Sequence, residues 1–370
     1  MDLYRLRVIG GKELLDHLMD RRFLLIAGIL LLVVVIGLIG GLISYGESLS
    51  QYANAVEVVG ESTTTQQGSA QGASLLVILD AIATEIVVLG SILGIAMGFD
   101  LITKEKEGGS LKLLLSHPIF RDEVINGKGL GGIAAIALVV VVTFIILLGI
   151  LFLFGIVPNE VEAFSILVLA VTTFLLIFSY FSISLLMSAV SPTGGTALIA
   201  SLIIFIFLSS LMPMFVDASV VGLFIGKAPA APNSGGASSF SAQGAQDKSG
   251  MDDGGSIVSG FSISDVVKYQ KELRAFEEKR MALEGVISLF SPTLNYQQVS
   301  TKLTGRTTSK PQSLTGDAAL ATRKAEETSG ETSTIPRILE TVLPNIVALL
   351  IFPTIFFGIA YARFMRLDIR

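Results

Sequence analysis

Two carboxylic acids, Asp80 and Glu85, stand in a stretch that is otherwise free of charge from residue 74 to Phe99. An ionisable group within a bilayer-length apolar run is costly, so it faces a bundle interior or a water-filled cavity and marks a candidate functional site. Asp80 lies about six residues from one end of the run, within reach of interfacial water. Glu85 lies some 11 residues in, about 16 Å at 1.5 Å per residue, near the midplane. Behind them runs Gly90-x-x-x-Gly94-x-x-x-Gly98, a stripe that lets a neighbouring helix approach closely. At 100° per residue Asp80 shares roughly that side, whereas Glu85 points about 180° away from Gly94. Two readings of Glu85 follow from the residues. It is a protonated carboxyl bonded to a neighbouring helix, for instance at Ser179 or Thr172, or it is a group that changes partners as the protein works.

A second concentration of polar chemistry lies in GFDLITKEKEGGSLKLLLSHPIFRDEVINGKGLGG, residues 98–132. Lys104, Glu105, Lys106 and Glu107 precede a Gly108-Gly109 break. A short helix is expected next, with Ser110 as N-cap, Leu111 to Leu115 within it and Pro118 ending it. Arg121, Asp122 and Glu123 form a further polar turn, and Gly127-Lys128-Gly129 stands where the chain re-enters the membrane. Such a helix, with Leu111 and Leu114 as anchors and charges at the rim, suits a groove on a partner. Its leucines suit the bilayer surface equally well.

Other chemistry is excluded. There is no cysteine, so thiolate nucleophiles, thiolate metal sites and disulfides are absent. His17 and His117, the two histidines, cannot build a histidine-rich metal site. Neither H-E-x-x-H nor G-x-S-x-G occurs, and Asp80 has no intramembrane aspartate to pair with, so no catalytic residue and no metal ligand is assigned. A net charge of −5 gives no electrostatic footprint for nucleic acid.

The elements that carry these residues follow from hydropathy. Hydrophobic residues make up 51% of the chain and charged ones 15%, against about 25% in soluble domains. The mean hydropathy of +0.72 comes from six long apolar runs, near 23–44, 74–99, 130–157, 163–190, 197–224 and 338–362. Each can cross a hydrocarbon core of about 30 Å as a helix. Continuous apolar runs rule out a transmembrane barrel, whose strands alternate. The run from Phe23 exceeds a signal-peptide core and is read as a retained first span.

Lys and Arg counts orient the chain. Arg5, Arg7, Lys12, Arg21 and Arg22 precede span one, and Lys104, Lys106, Lys112, Arg121 and Lys128 join spans two and three. Arg363, Arg366 and Arg370 follow span six, whereas 45–73 and 158–162 hold neither Lys nor Arg. Both termini are therefore expected in the cytoplasm. Residues 1–22 read as an interfacial helix, with Leu3, Leu6, Leu14 and Leu18 among charges. Residues 23–225 hold spans one to five with the cytoplasmic loop 100–129, and 337–370 hold span six and the tail. Between them, 226–336 is expected outside, with a Gly/Ser/Ala/Pro-rich linker, a helix near 264–289 stopped by Ser291-Pro292, and an irregular Thr/Ser/Lys/Glu-rich remainder from 293. The fold class is an all-α polytopic membrane protein. It has six transmembrane helices, an N-terminal elbow helix and a large extracytoplasmic insertion between helices five and six.

The loop resembles the first cytoplasmic loop of ABC-2-type permeases. The matches are Gly98, Phe99, Asp100, Glu105, Glu107, Gly108, Leu111, Leu113, Leu114, Leu115, Ser116, Pro118, Arg121, Gly127 and Lys128. Lys12-Glu13-Leu14, Asp16 and Arg21-Arg22 are similar too, and the nearest branch resembles the permeases that help assemble the copper centre of nitrous oxide reductase. The pattern departs at Gly109-Ser110, where Thr often follows the glycine, and in the long segment 226–336. The resemblance implies a permease subunit in a prokaryotic cell membrane, paired as a homodimer or with a similar permease. It implies a separate cytoplasmic ATPase that carries ATP and magnesium and docks on Glu105, Glu107, Gly108, Leu111, Leu114, Pro118, Arg121 and Lys128. This chain has no G-x-x-x-x-G-K-[ST] motif, since Asp122 stands five residues before Gly127 and Gly129 follows Lys128. Substrate is not implied. Rival readings are an ion-coupled secondary transporter that uses Glu85, and a membrane scaffold for an extracytoplasmic partner.

Overall fold

The computed structural model describes residues 3–59, 76–109, 121–216, 220, 222, 226, 263–304 and 335–366. Among them there are helices and no strands. The order is α1 (Leu3–Met19), α2 (Arg21–Val59), α3 (Leu76–Gly98), α4 (Thr103–Glu107), α5 (Arg121–Leu153), α6 (Glu160–Val190) and α7 (Gly194–Ile206). A π turn (Phe207–Leu211) leads to α8 (Met212–Val216), then α9 (Ile263–Leu289), α10 (Pro292–Leu303) and α11 (Ile335–Met365). Six helical stretches are long and apolar enough to cross a membrane: Arg21–Glu47, Ile78–Glu107, Asp122–Leu153, Glu160–Val190, Gly194–Phe215 and Ile338–Met365.

The chain divides into two compact units, Met1–Met212 with Ser288–Arg370, and Pro213–Ile287. Within the described part of the second, Ile263–Ile287 is helical, where Val266, Tyr269, Leu273 and Phe276 recur at helical spacing. The first unit is built around α6, whose face from Thr172 to Ala189 is almost wholly buried against α3, α11 and α5. Asn159 starts α6 with a capping box: its side chain accepts from Glu162 N, and Glu162 accepts from Asn159 N.

The glycine stripe of α3 makes the closest of these contacts. A Cβ at Gly94 would overlap the Ile177 carbonyl oxygen, and one at Gly98 would stand 2.7 Å from Phe181 O. No other residue lets α3 lie this close to α6, and Ser184 Oγ then donates to Ile95 O across the seam at 2.8 Å.

Four features differ from the sequence reading. The segment Arg121–Gly129 is helical and not a turn before the membrane, so α5 begins nine residues ahead of the expected span. Asp122 and Glu123 in its first turn favour that start by complementing the helix dipole. Beyond the expected first span, α2 continues to Val59. The π turn precedes Pro213, where Met212 N bonds Phe207 O, and proline offers no N–H to Leu208 O.

The largest difference is α10, where an irregular stretch was expected. Ser291 caps it by accepting from Leu294 N at 3.3 Å, with Pro292 in its first turn. It packs among α3, α6 and α11, with Tyr296 and Val299 fully buried. Several of its polar side chains find partners inside the bundle, whereas the buried Ser300 hydroxyl has none among the described residues. Tyr296 and Thr173 hydroxyls share a hydrogen bond of 3.1 Å, and Tyr180 and Thr293 one of 2.6 Å. Thr173 and Tyr180 lie 13 and 20 residues into α6, about 20 and 30 Å along its axis. Thus α10 lies beside the interior of a span, where backbone is tolerated because protein surrounds it. Ser291 Oγ donates to the Leu208 carbonyl that Pro213 leaves unpaired, at 2.8 Å. The Asn345 amide donates to Asn295 Oδ1 (3.0 Å) and Gln298 Oε1 (2.7 Å), and its oxygen accepts from Lys302 Nζ (2.7 Å).

Candidate functional site

At the end of the bundle that carries the basic residues, α1, α4, α5 and the α6–α7 corner are tied together by side chains. The helix α1 lies along the first turns of α5, and glycines make the approach possible. A Cβ at Gly127 would stand 2.5 Å from Ile9 Cγ2, and one at Gly131 would meet Glu13 Cβ at 2.5 Å. This seam brings Glu13 to Lys128. The Lys128 ammonium lies 3.1 Å from both Glu13 oxygens and 3.0 Å from Glu105 Oε1. Lys128 is only 8% exposed, so its charge is held away from water. Two carboxylates and short, charge-assisted bonds offset that desolvation. A single lysine thus joins α1, α4 and α5.

The helix α4 is clamped at both ends to the corner between α6 and α7. Ser188 Oγ accepts from Ile102 N (3.0 Å) and Thr103 N (3.1 Å), which satisfies two amides at the α4 N-terminus. Lys106 Nζ donates to the carbonyls of Ser188 (3.2 Å), Ala189 (2.8 Å) and Ser191 (3.2 Å), where α6 ends. A cation there complements the negative end of the helix dipole. Glu107 Oε1 accepts from Gly194 N at 2.7 Å, which places an anion at the positive end of α7. Gly109 follows with φ of +67°, a conformation that favours glycine.

A polar cavity of about 1000 Å³ opens beside these helices, lined by His17, Asp20, Arg22, Asp100, Lys104 and Lys128 among others. Arg22 stands 3.8 Å from Asp100 across it. His17 is 9% exposed, its Nε2 has no hydrogen-bond partner among the described residues, and its ring lies 6.3 Å from Phe23. Burial pushes the imidazole below the usual histidine range, opposed by the charges of Glu13, Asp100 and Asp20 and helped by Lys128.

The site residues read from the sequence fall in three places. Glu105, Glu107 and Lys128 take part in this lattice, and Gly108 caps α4. Leu111, Leu114 and Pro118, with the short helix expected around them, lie outside the described residues. Arg121 begins α5. Asp80 and Glu85 are remote from the lattice, on α3. Asp80 is half-buried, and Glu85 is exposed on the unit's surface, with its stem against Gly37 of α2 at 3.6 Å from an added Cβ. Ser179 and Thr172 are not its partners. Ser179 Oγ donates to Leu175 O at 2.7 Å and Thr172 Oγ1 to Val168 O at 2.9 Å, within α6. The glycine stripe turns Glu85 away from that helix.

Lys106, Ser188, Glu13 and His17 were not singled out as site residues by sequence reasoning. Glu13 stands in the Lys12-Glu13-Leu14 match, and Lys106 lies three residues after a buried Thr103 on the clamped turn. Nothing local marks the partners of Lys106, Ser188 and Glu13, which are 82 to 115 residues away in the chain. A family model described as ABC-2 family transporter protein matches residues 7–369. No curated protein matches the chain.

Proposed function

Because the chain belongs to the ABC-2 family of transporter proteins, we propose that it is the membrane-spanning permease subunit of an ATP-binding-cassette transporter. The observation that carries this reading is the clamped α4. Lys106 and Glu107 fix it to the α6–α7 corner, and Glu105 fixes it through Lys128 to α1 and α5. Whatever pulls on the chain at 109–120 pulls on four helices at once. In this reading a separate cytoplasmic ATPase, with its ATP and magnesium, docks on the loop 100–129 and moves these helices as a set. The bundle end that carries Lys128 then faces the cytoplasm, both termini lie on that side, and the membrane is that of a prokaryotic cell.

Two permease chains complete the transporter, as a homodimer or with a similar partner. The likeness to the copper-assembly permeases of nitrous oxide reductase is the finer family reading and does not name the cargo. It is supported by the loop pattern alone.

Affinity purification of the full chain from its native host tests the function. An ATP-hydrolysing subunit with a P-loop is expected to copurify, and to be lost when Glu107, Leu111 and Leu114 are replaced together. A chain that moves substrate in liposomes under an ion gradient, with no such subunit, overturns the reading.

A further inference from the structure

The exposed surface of the spans is of two kinds. On α2 it presents Leu25, Ile29, Leu32 and Ile36, on α5 Val141 and Ile145, and on α7 Ile199 and Ile203, all suited to lipid tails. On α3 it presents Thr84, Glu85 and Val88, continued by half-buried Leu89, Ile92 and Ala96. These positions form one face, opposite the glycine stripe. The face runs directly into the polar cavity, whose lining includes Ala96, Phe99 and Asp100 of the same helix turns. Glu85 stands 11 residues beyond Ala96, about 16 Å along the axis, and 15 residues, about 22 Å, from Asp100. In a hydrocarbon core of about 30 Å it is well inside.

An acid at that depth facing lipid tails is costly when charged. Within the described residues no basic side chain or hydrogen-bond donor offsets it, since Thr84 Oγ1 donates to Asp80 O at 3.1 Å. Glu85 is therefore placed to receive a positive charge from something that is not part of this unit. The surroundings limit what that is. No group of three acids or histidines able to hold a metal ion occurs among the described residues. Val88 and Ile92, one and two turns along, offer an apolar bed beside the carboxylate.

We propose that Glu85 is a substrate-recognition residue, and that the transported substrate is an amphiphilic organic cation. Its apolar body lies along Val88 and Ile92 and its positive head pairs with Glu85, reached from the polar cavity along the α3 face. The assignment rests on the permease reading above, and names the class of substrate that reading leaves open.

The test uses the full chain in lipid nanodiscs, with tetraphenylphosphonium as cationic probe and tetraphenylborate as its anionic counterpart. Saturable tetraphenylphosphonium binding is expected, weakened about tenfold or more by Glu85→Gln, equivalent to about 1.4 kcal/mol, and restored by Glu85→Asp. Tetraphenylborate is expected to bind no better to the native chain than to Glu85→Gln. The natural absence of cysteine provides a second readout that does not depend on that variant folding. Val88→Cys is expected to react with a positively charged methanethiosulfonate and to be protected by tetraphenylphosphonium, whereas Ile203→Cys is expected to resist it. Absence of cation binding, equal binding by Glu85→Gln, or equal reactivity at the two cysteines overturns the proposal. Copurification of the ATPase with Glu85→Gln is read separately, so loss of the cation site leaves the permease reading standing.

Discussion

The ammonium of Lys128 and the carboxylate of Glu105 meet at 3.0 Å, joining the first turns of α5 to the short helix α4 that opens the loop. Both side chains are largely shielded, with 10% and 20% of their surfaces exposed. Removing the cation leaves Glu13 and Glu105 facing each other without it. Lys128→Met is therefore expected to destabilise the bundle by about 3–5 kcal/mol, the range for breaking one side of a buried pair. Glu105→Gln leaves Lys128 on Glu13 and is expected to cost less. Thermal unfolding of the two variants in detergent checks the order.

Lys106 gathers three carbonyls where α6 ends. Lys106→Met keeps the stem and removes the charge, so the α4 clamp loosens without a change in apolar packing. Binding of the ATPase subunit is expected to persist while its stimulation by the permease falls. ATP hydrolysis by the copurified complex measures this. Unchanged stimulation would show that the clamp does not carry motion.

The approach of α3 to α6 has no room for a side chain at Gly94. Gly94→Leu is expected to prevent assembly of these two spans, and Gly94→Ala to lower the melting temperature. Gly40 has nothing within 4 Å of an added Cβ, and Gly40→Ala is the matched control that is expected to change little.

Asn345 holds α10 against α11 through three side-chain partners. Asn345→Leu leaves the polar atoms of Asn295 and Gln298 without it inside the bundle, at roughly 0.6–2 kcal/mol for each interhelical bond. A protease site placed at Lys302 is expected to become cleavable in that variant and to stay protected in the native chain.

His17 sets a pH dependence. Its folded-state pKa lies below the unfolded value of about 6.5, so the unfolded chain binds the proton more readily. The stability this histidine contributes is fully present above about pH 6.5 and is lost as pH falls through that value toward its folded pKa. His17→Gln is expected to flatten the slope of stability between pH 7 and 5. Chemical unfolding at a series of pH values reads it.

Much of this architecture is legible in the chain because lipid demands it. An uninterrupted apolar run has no stable alternative to a helix, and the Gly90-Gly94-Gly98 spacing places a close contact on one face of α3. The same spacing turns Glu85 outward, although its bonding to Ser179 or Thr172 was misread because their own helix carbonyls already satisfy them. What local sequence cannot show is pairing over distance. Lys128 reads as a charge at a membrane boundary until α1 lies beside it, 115 residues away. The helix α10 was missed because Thr293, Asn295, Tyr296 and Ser300, polar residues, share its inward face with Leu294, Val299 and Leu303. They become core residues only when Thr173, Tyr180 and Asn345 stand opposite. The Ser291-Pro292 pair, taken as a stop, is also a start signal for the next helix.

The most direct measurement follows the loop and the spans together. Two cysteines, replacing Lys104 on α4 and Val157 near the far end of α5, carry spin labels in the reconstituted complex with its ATPase. Pulsed electron resonance then gives their separation with and without ATP. A change in separation on ATP binding, abolished when Lys106 and Glu107 are both replaced and absent under an ion gradient alone, is the predicted result. A separation that ignores ATP and shifts with the ion gradient in the absence of the ATPase would contradict it.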